Sequence, residues 1–169
     1  MGLIAQDAEA VGDVIHDVRR ATRRPIIAKL TPNVTDISKI AIAAEKAGAD
    51  AVLIANTFPA MAVDVGTRKP KLGNITGGLS GPAIKPIVLK MVWDVYSKIK
   101  IPIIACGGIM DHEDAVEFML CGARAIQVGT ATFVNPKAAV EIIDGLRKYC
   151  GKNKISDINK VTGGIKTGA

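Results

Sequence analysis

The sequence predicts an α/β fold in which parallel strands alternate with helices. Of the 169 residues, 49% are hydrophobic but only 4% are aromatic, which is typical of the aliphatic cores of parallel sheets. Two segments, starting at Pro25 and at Pro102, also share one pattern. Each has an apolar strand, a short loop, an acidic helix cap, an amphipathic helix and a second apolar strand. We interpret this pattern as a βαβ unit that occurs twice, with a crossover that makes the paired strands parallel.

Length, charge and cysteine usage narrow the class of protein. A chain of this length is expected to form a single domain over 1–169. The net charge of +6 is spread along the chain, which favours solvated faces over a nucleic acid partner. Three cysteines, without a disulfide or metal-binding pattern, indicate reduced thiols in a cytoplasmic protein with no metal site. No signal peptide or membrane-length apolar segment is present, so no membrane partner is expected.

The elements follow one another in a regular order. The first is a helix over 7–22, whose buried stripe is predicted to hold Ala10, Val14, Ile15 and Val18. Four parallel strands are predicted over 26–30, 51–55, 101–106 and 125–129. Further helices are predicted between the strands of each repeat, over about 85–98, over 136–149, and as a short docked helix after Gly151.

The helix ends carry their own signals. The helices of the two repeats end at Gly48 and Gly122, where a left-handed C-cap favours glycine. Asp111, with Asp114 three residues later, predicts an N-cap with a capping box. Between the repeats, 57–86 is rich in glycine and proline and too long for an ordinary loop. We expect a small hairpin there, with Met61–Asp64 paired against Lys71–Asn74.

Four strands leave the architecture open. A complete (β/α)8 barrel typically needs about 250 residues. The chain is therefore predicted to form either a small open α/β sheet or half of a barrel, and the repeat is compatible with both.

Polar and glycine residues follow the strands at the ends where such folds bind ligands. Lys29 ends the first strand, where a buried cation needs either an anionic ligand or a salt bridge to a loop carboxylate. Asn56 and Thr57 offer hydrogen-bonding groups or ordinary turn chemistry. The pairs 107–108 and 129–130 are glycine-rich, which favours either phosphate binding by backbone amides or tight βα turns. Together these residues predict a polar ligand that carries phosphate.

Four segments resemble the class 1 dihydroorotate dehydrogenases, particularly the class 1B branch. They are "AKLTPNVTDI", "NITGGLSGPAIKP", "IPIIACGGI" and "AIQVGTA", and the resemblance extends from about Gly2 to about Tyr149. The resemblance implies an FMN-binding (β/α)8 barrel that oxidises dihydroorotate to orotate in pyrimidine biosynthesis. It also implies an iron–sulfur flavoprotein partner subunit that transfers electrons to NAD.

The resemblance assigns a role to each candidate residue. It places Lys29 against the flavin near N1 and O2, and it places Ala55 in contact with the flavin. It implies that Asn56 and Thr57 hydrogen-bond the pyrimidine of dihydroorotate or orotate. The residues implied to wrap the FMN and its phosphate are Gly81, Gly107, Gly108, Gly129 and Thr130. We expect Gly107→Val to block the phosphate and leave the fold intact.

The resemblance covers only the C-terminal half of the family's barrel. It implies that the loop with the catalytic base lies in the other half, so no catalytic residue is identified in this chain, and Cys106 belongs to a different loop. The alternatives are a non-catalytic half-barrel that binds FMN or phosphate, a fragment like the flavin barrel of dihydropyrimidine dehydrogenase, or an inert remnant. Because half a barrel exposes strand edges and an apolar face, a homo-oligomer or a complementing chain is expected.

Overall fold

Four parallel strands form the central sheet of the computed structural model, which describes residues 3–168. They are β1 (Ile27–Lys29), β2 (Ala51–Ile54), β7 (Ile103–Ala105) and β8 (Ala123–Ile126). Their order across the sheet, β1-β2-β7-β8, is also their order along the chain. A doubly wound sheet reverses its strand order at a switch point, whereas a barrel does not. The order therefore favours half of a barrel over a small open sheet of the doubly wound kind.

Helices follow the strands and cover one face of the sheet. They are α1 (Ala8–Ala21), α2 (Ile37–Lys46), α3 (Lys85–Tyr96), α4 (His112–Leu120), α5 (Ala131–Val134) and α6 (Ala138–Lys152). Short 3-10 helices occupy Ile4–Gln6, Pro82–Ile84 and Ile158–Val161. Neighbouring helices pack together in the order α1, α2, α3, α4, α6, which is the outer layer of a barrel. No helix within residues 3–168 has the length and apolar character needed to cross a bilayer.

The hydrophobic core lies between this helical layer and the sheet. Ala28, Val52 and Ile103 form one register row across three strands, and their side chains pack into the core under α2, α3 and α4. The opposite face is open at the edges of the sheet, where Ile27 is 51% exposed and Ala125 is also exposed. The sheet is thus buried on one face, and its other face is accessible at the edge strands, while all four residues of β2 are buried.

The predicted helix caps are confirmed. Gly48 and Gly122 have φ angles of 101° and 121°, so both adopt the left-handed conformation at a helix end. The Asp111 side chain accepts hydrogen bonds from the first turn of α4, and Asp114 completes the capping box. Each of these signals acts within a few residues of the chain.

The predicted buried stripe of α1 is only partly correct. Ile15 is buried, but Val14 and Val18 are 49% and 43% exposed, and Ala8 and Val11 pack against the core instead. The helix is turned so that Arg19, one turn beyond Ile15, also faces the body of the protein. Its guanidinium donates to the backbone oxygen of Gly48 and pairs with Asp50, and these contacts fix the rotation of the helix.

The hairpin between the repeats exists, but its predicted register is wrong. The observed pairs are antiparallel, β3 (Phe58–Met61) with β6 (Thr76–Leu79) and β4 (Val63–Asp64) with β5 (Lys69–Pro70). The Asp64 side chain accepts hydrogen bonds from the amide and hydroxyl of Thr67, which closes a turn earlier than predicted. The predicted strand over 125–129 is also shifted, since β8 starts directly after Gly122 and leaves the ladder after Ile126.

Candidate functional site

A cavity of about 230 Å³ lies at the carboxyl ends of the four central strands. All nine candidate residues from the sequence line it: Lys29, Ala55, Asn56, Thr57, Gly81, Gly107, Gly108, Gly129 and Thr130. They come from five separate loops or strand ends, which meet there because parallel strands end at the same edge of the sheet. The structure therefore brings together every residue predicted at the site.

Lys29 supplies the cavity's cation. It is the last residue of β1, and its side chain is exposed rather than buried, in contrast to the expectation from the sequence. Its ammonium group makes no hydrogen bond and no salt bridge within residues 3–168, so the alternative of a structural ion pair finds no partner there. The charge is thus available to a ligand in the cavity.

Asn56 and Thr57 present free polar groups beside Lys29. The Asn56 Oδ1 atom accepts a hydrogen bond from the Thr57 amide at 2.9 Å, which leaves the Asn56 side-chain NH₂ as a donor. The Thr57 side chain packs over Gly78 of β6, where an added Cβ would lie 2.3 Å from the Thr57 hydroxyl oxygen. The hairpin strand β6 therefore holds Thr57 in place, through a glycine that the sequence analysis did not assign.

Gly107 and Gly108 form a tight turn after β7. Their φ angles are 150° and 79°, and added Cβ atoms would lie 2.9 Å from Val88 and 2.7 Å from the Lys85 Cβ atom. Glycine is therefore required by close packing of the turn on α3. For the same reason the expectation that Gly107→Val leaves the fold intact is wrong. The amides of both glycines donate no hydrogen bond within residues 3–168 and remain available to an anion.

Gly129 and Thr130 form the opposite side of the cavity, after β8. Nothing lies within 4 Å of a Cβ atom added at Gly129, so this glycine borders open space. The amides of Gly129 and Thr130 also donate no hydrogen bond in the described part of the chain. The Thr130 hydroxyl donates to the Ser80 hydroxyl at 2.7 Å and so ties this loop to the end of β6 beside Gly81.

Seven further residues line the cavity and were not assigned from the sequence: Ser80, Ile84, Cys106, Ile109, Met110, Gln127 and Phe133. Five of them lie within the four quoted segments and Met110 directly follows one, and that proximity to assigned residues was the signal that could have found them. Phe133, on α5, lies outside those segments and is 91% exposed. Exposure of so large an apolar side chain at the cavity rim is visible only in the structure.

Titratable groups are few in this cavity. Lys29 and Cys106 are the only residues lining this cavity that carry ionisable side chains. Burial raises the pKa of the Cys106 thiol, and this effect exceeds the lowering by the nearby Lys29 charge. The thiol is therefore protonated at neutral pH and is a poor general base. No group of acidic, cysteine or histidine side chains in residues 3–168 could hold a metal ion.

Comparisons with known proteins agree with this fold. The family model for dihydroorotate dehydrogenase matches residues 2–150. The catalytic subunit of dihydroorotate dehydrogenase B (NAD(+)) from Desulforamulus reducens is 54% identical over 157 residues, which are 93% of this chain and 52% of that protein. The subunit of the same name from Caldicellulosiruptor saccharolyticus is 50% identical over 163 residues, 96% of this chain and 54% of that protein.

Solved structures give the same picture. The crystal structure of DHODH from Eimeria tenella in complex with ferulenol superposes with a TM-score of 0.76 at 26% identity, covering 94% of this chain and 49% of that one. The ligand-free structure from the same organism gives the same TM-score and covers 50% of that chain. The chain thus spans about half the length of the relatives and structures it matches.

Proposed function

This chain belongs to the dihydroorotate dehydrogenase family, and from that premise we propose that it forms the flavin-holding half of an enzyme that oxidises dihydroorotate to orotate. The observation that carries the proposal is the cavity, which joins one free cation to four free backbone amides. The Lys29 cation lies at the end of β1. The four amides follow β7 and β8. Three interstrand spacings, roughly 14 Å in total, separate β1 from β8 across the sheet.

FMN fits such a site, because it is an elongated molecule with a flat ring at one end and a phosphate at the other. The amides of Gly107, Gly108, Gly129 and Thr130 would hold the phosphate, since unpaired N–H groups are strong donors to an anion. Apolar side chains of the cavity lining, including Ile84 and Met110, would pack against the flavin.

Lys29 has the electrostatic role in this proposal. FMN would supply the hydride acceptor for C6 of dihydroorotate, and Lys29 would offer a positive charge near N1 and O2, where flavin reduction adds negative charge. The Lys29 ammonium lies at the end of β1 without a competing partner within residues 3–168, so it would be free to stabilise that charge.

Asn56 and Thr57 have the substrate-binding role. The Asn56 NH₂ group and the Thr57 hydroxyl are unbonded within residues 3–168 and lie beside Lys29 in the cavity wall. Amide and hydroxyl groups suit the alternating carbonyl and N–H groups of a pyrimidine ring. They would therefore orient the substrate against the flavin.

The electron acceptor is proposed from the relatives. Their printed names describe the catalytic subunit of an NAD(+)-dependent enzyme, which implies a second subunit. We infer that an iron–sulfur flavoprotein subunit takes electrons from the flavin of this protein and passes them to NAD.

A second candidate is flavin binding without turnover by this chain. It is favoured by the lining of the cavity, in which Lys29 is charged and Cys106 is protonated at neutral pH. Neither group can take up the C5 proton of dihydroorotate efficiently. Under this candidate the chain holds FMN, and a base supplied by other residues completes the reaction.

Anaerobic flavin spectroscopy tests both candidates. We expect the purified chain to bind FMN and orotate to shift the flavin spectrum. Asn56→Ala should abolish the orotate shift and retain FMN, while Asn74→Ala, an exposed asparagine in the hairpin loop, should change neither. Bleaching of the flavin by dihydroorotate supports the dehydrogenase, and FMN binding without bleaching supports the second candidate. A chain that does not bind FMN contradicts both.

A further inference from the structure

A salt bridge lies directly behind the Gly107–Gly108 turn. Lys85, at the start of α3, donates from Nζ to Asp114 Oδ1 at 2.5 Å and reaches Glu117 Oε2 at 3.0 Å. The Asp114 side chain is only 12% exposed and that of Lys85 25%. The pair therefore joins two elements that follow different strands of the sheet, and neither side chain lines the cavity.

Asp114 connects this salt bridge to the backbone of the turn. Its second oxygen, Oδ2, accepts a hydrogen bond from the Met110 amide at 2.8 Å. At the other side of the turn, Gly108 lies against Lys85 itself: an added Cβ would be 2.7 Å from the Lys85 Cβ and 2.9 Å from its backbone nitrogen. The segment 107–110 is thus held between the backbone of Lys85 and the carboxylate that Lys85 pairs with.

Both members of the pair are charged at neutral pH. The hydrogen bond with Asp114 raises the pKa of Lys85 above its ordinary value. Burial works to raise the pKa of Asp114, but the hydrogen bonds from Lys85 and from the Met110 amide together hold it below its ordinary value. A charged, largely buried pair is geometrically restrictive, because each group must keep its partner.

We propose that Lys85 is a positioning residue that aims the free amides of Gly107 and Gly108 at the phosphate of the bound flavin. The inference rests on the proposed function, because it needs an FMN phosphate in the cavity. Lys85 does not touch the ligand. It fixes the turn whose amides do, through Asp114 and through its own backbone contact with Gly108.

The test compares FMN with riboflavin, which has the same ring and lacks the phosphate. Lys85→Met should weaken FMN binding about tenfold, the loss of roughly one well-aimed hydrogen bond to a charged group, while riboflavin affinity stays that of the parent. Lys90→Met is the matched control, because Lys90 is on the same helix and pairs with Asp94 on the exposed surface. It should keep the parent's preference for FMN. Lys85→Arg, which retains the charge, should restore most of that preference.

The outcomes separate the positioning role from the proposed function and from simple unfolding. Where circular dichroism shows that Lys85→Met does not fold, Asp114→Asn takes its place, since its amide oxygen can still accept from Met110 but no longer pairs with Lys85 as an ion. A parent that prefers FMN, with both variants keeping the same preference, overturns the positioning role alone. Equal loss of FMN and riboflavin also overturns it, because the effect is then on the whole cavity. A parent that binds neither flavin overturns the proposed function as well.

Discussion

Adding one methyl group at Gly107 should mainly lower stability, whereas adding one at Gly129 should mainly weaken ligand binding. At Gly107 the added Cβ would lie 2.9 Å from Val88 and 3.3 Å from Ile84, both buried, and φ is 150°. At Gly129 nothing lies within 4 Å, and φ is outside the left-handed region. The two glycines line the same cavity and differ in φ and in what stands behind them.

The expected magnitudes follow from these contacts. For Gly107→Ala, overpacking against Val88 and the unfavourable φ should together lower the free energy of unfolding by about 2–5 kcal/mol. For Gly129→Ala the change should stay within about 0.5 kcal/mol, because no neighbour is displaced. The Gly129 methyl group would instead project where a phosphate approaches the amide, so FMN should bind about tenfold more weakly.

Urea unfolding followed by circular dichroism measures the first effect, and fluorescence quenching of FMN and riboflavin measures the second. Gly151→Ala is the control, because that glycine lies in α6, far from the cavity in sequence, and also has nothing within 4 Å. The double variant Gly107→Ala, Val88→Ala should recover part of the lost stability, since the smaller side chain makes room. Equal unfolding midpoints for Gly107→Ala and Gly129→Ala would refute the reasoning from packing.

Three further predictions follow from the cation, the buried ion pair and the open sheet. Lys29→Ala should weaken FMN retention and lower the flavin reduction potential by on the order of 20–30 mV, which is the effect of one solvated charge nearby. The control Lys39→Ala, on α2, should leave the potential unchanged. Equal potentials for the parent and Lys29→Ala in a dye-coupled titration would contradict this role. The pKa of Asp114 lies below its ordinary value of 3.8, so the stabilisation from this carboxylate is present above pH 3.8 and is lost as the pH falls through the folded-state pKa. Asp114→Asn should therefore reduce the pH dependence of stability in this acid range. An unchanged acid-unfolding curve would argue against this prediction. The 169-residue chain should self-associate at micromolar concentration through its open edges β1 and β8, and sedimentation equilibrium that shows a compact monomer would exclude this.

The sequence predicts those features that depend on neighbours along the chain. The caps at Gly48, Gly122 and Asp111 are such features, because a helix end is decided by the few residues around it. Seven of the nine candidate residues of the cavity were found because they end or follow a predicted strand and parallel strands end together, whereas Ala55 and Gly81 were found only through the resemblance.

Features that depend on distant contacts were missed. The rotation of α1 is set by Arg19 reaching Gly48, 29 residues away, and no local period reports that contact. The hairpin register, by contrast, depends on a local side-chain turn between Asp64 and Thr67 that was not recognised in the sequence. Lys85 and Asp114 were not assigned a joint role, because neither follows a strand and their pairing joins residues 29 apart.

The position of Lys29 on an edge strand links ligand occupancy to the order of the sheet. β1 has three residues and pairs only with β2, so it is the part of the sheet that opens at least cost. A ligand that engages Lys29 binds only the closed form of this strand and must shift the opening equilibrium towards it by mass action. Hydrogen exchange at the Ala28 and Leu30 amides, which face β2, should then slow as ligand is added, while exchange in β2 and β7 changes little. The edge of the sheet would in this way report whether the cavity is filled.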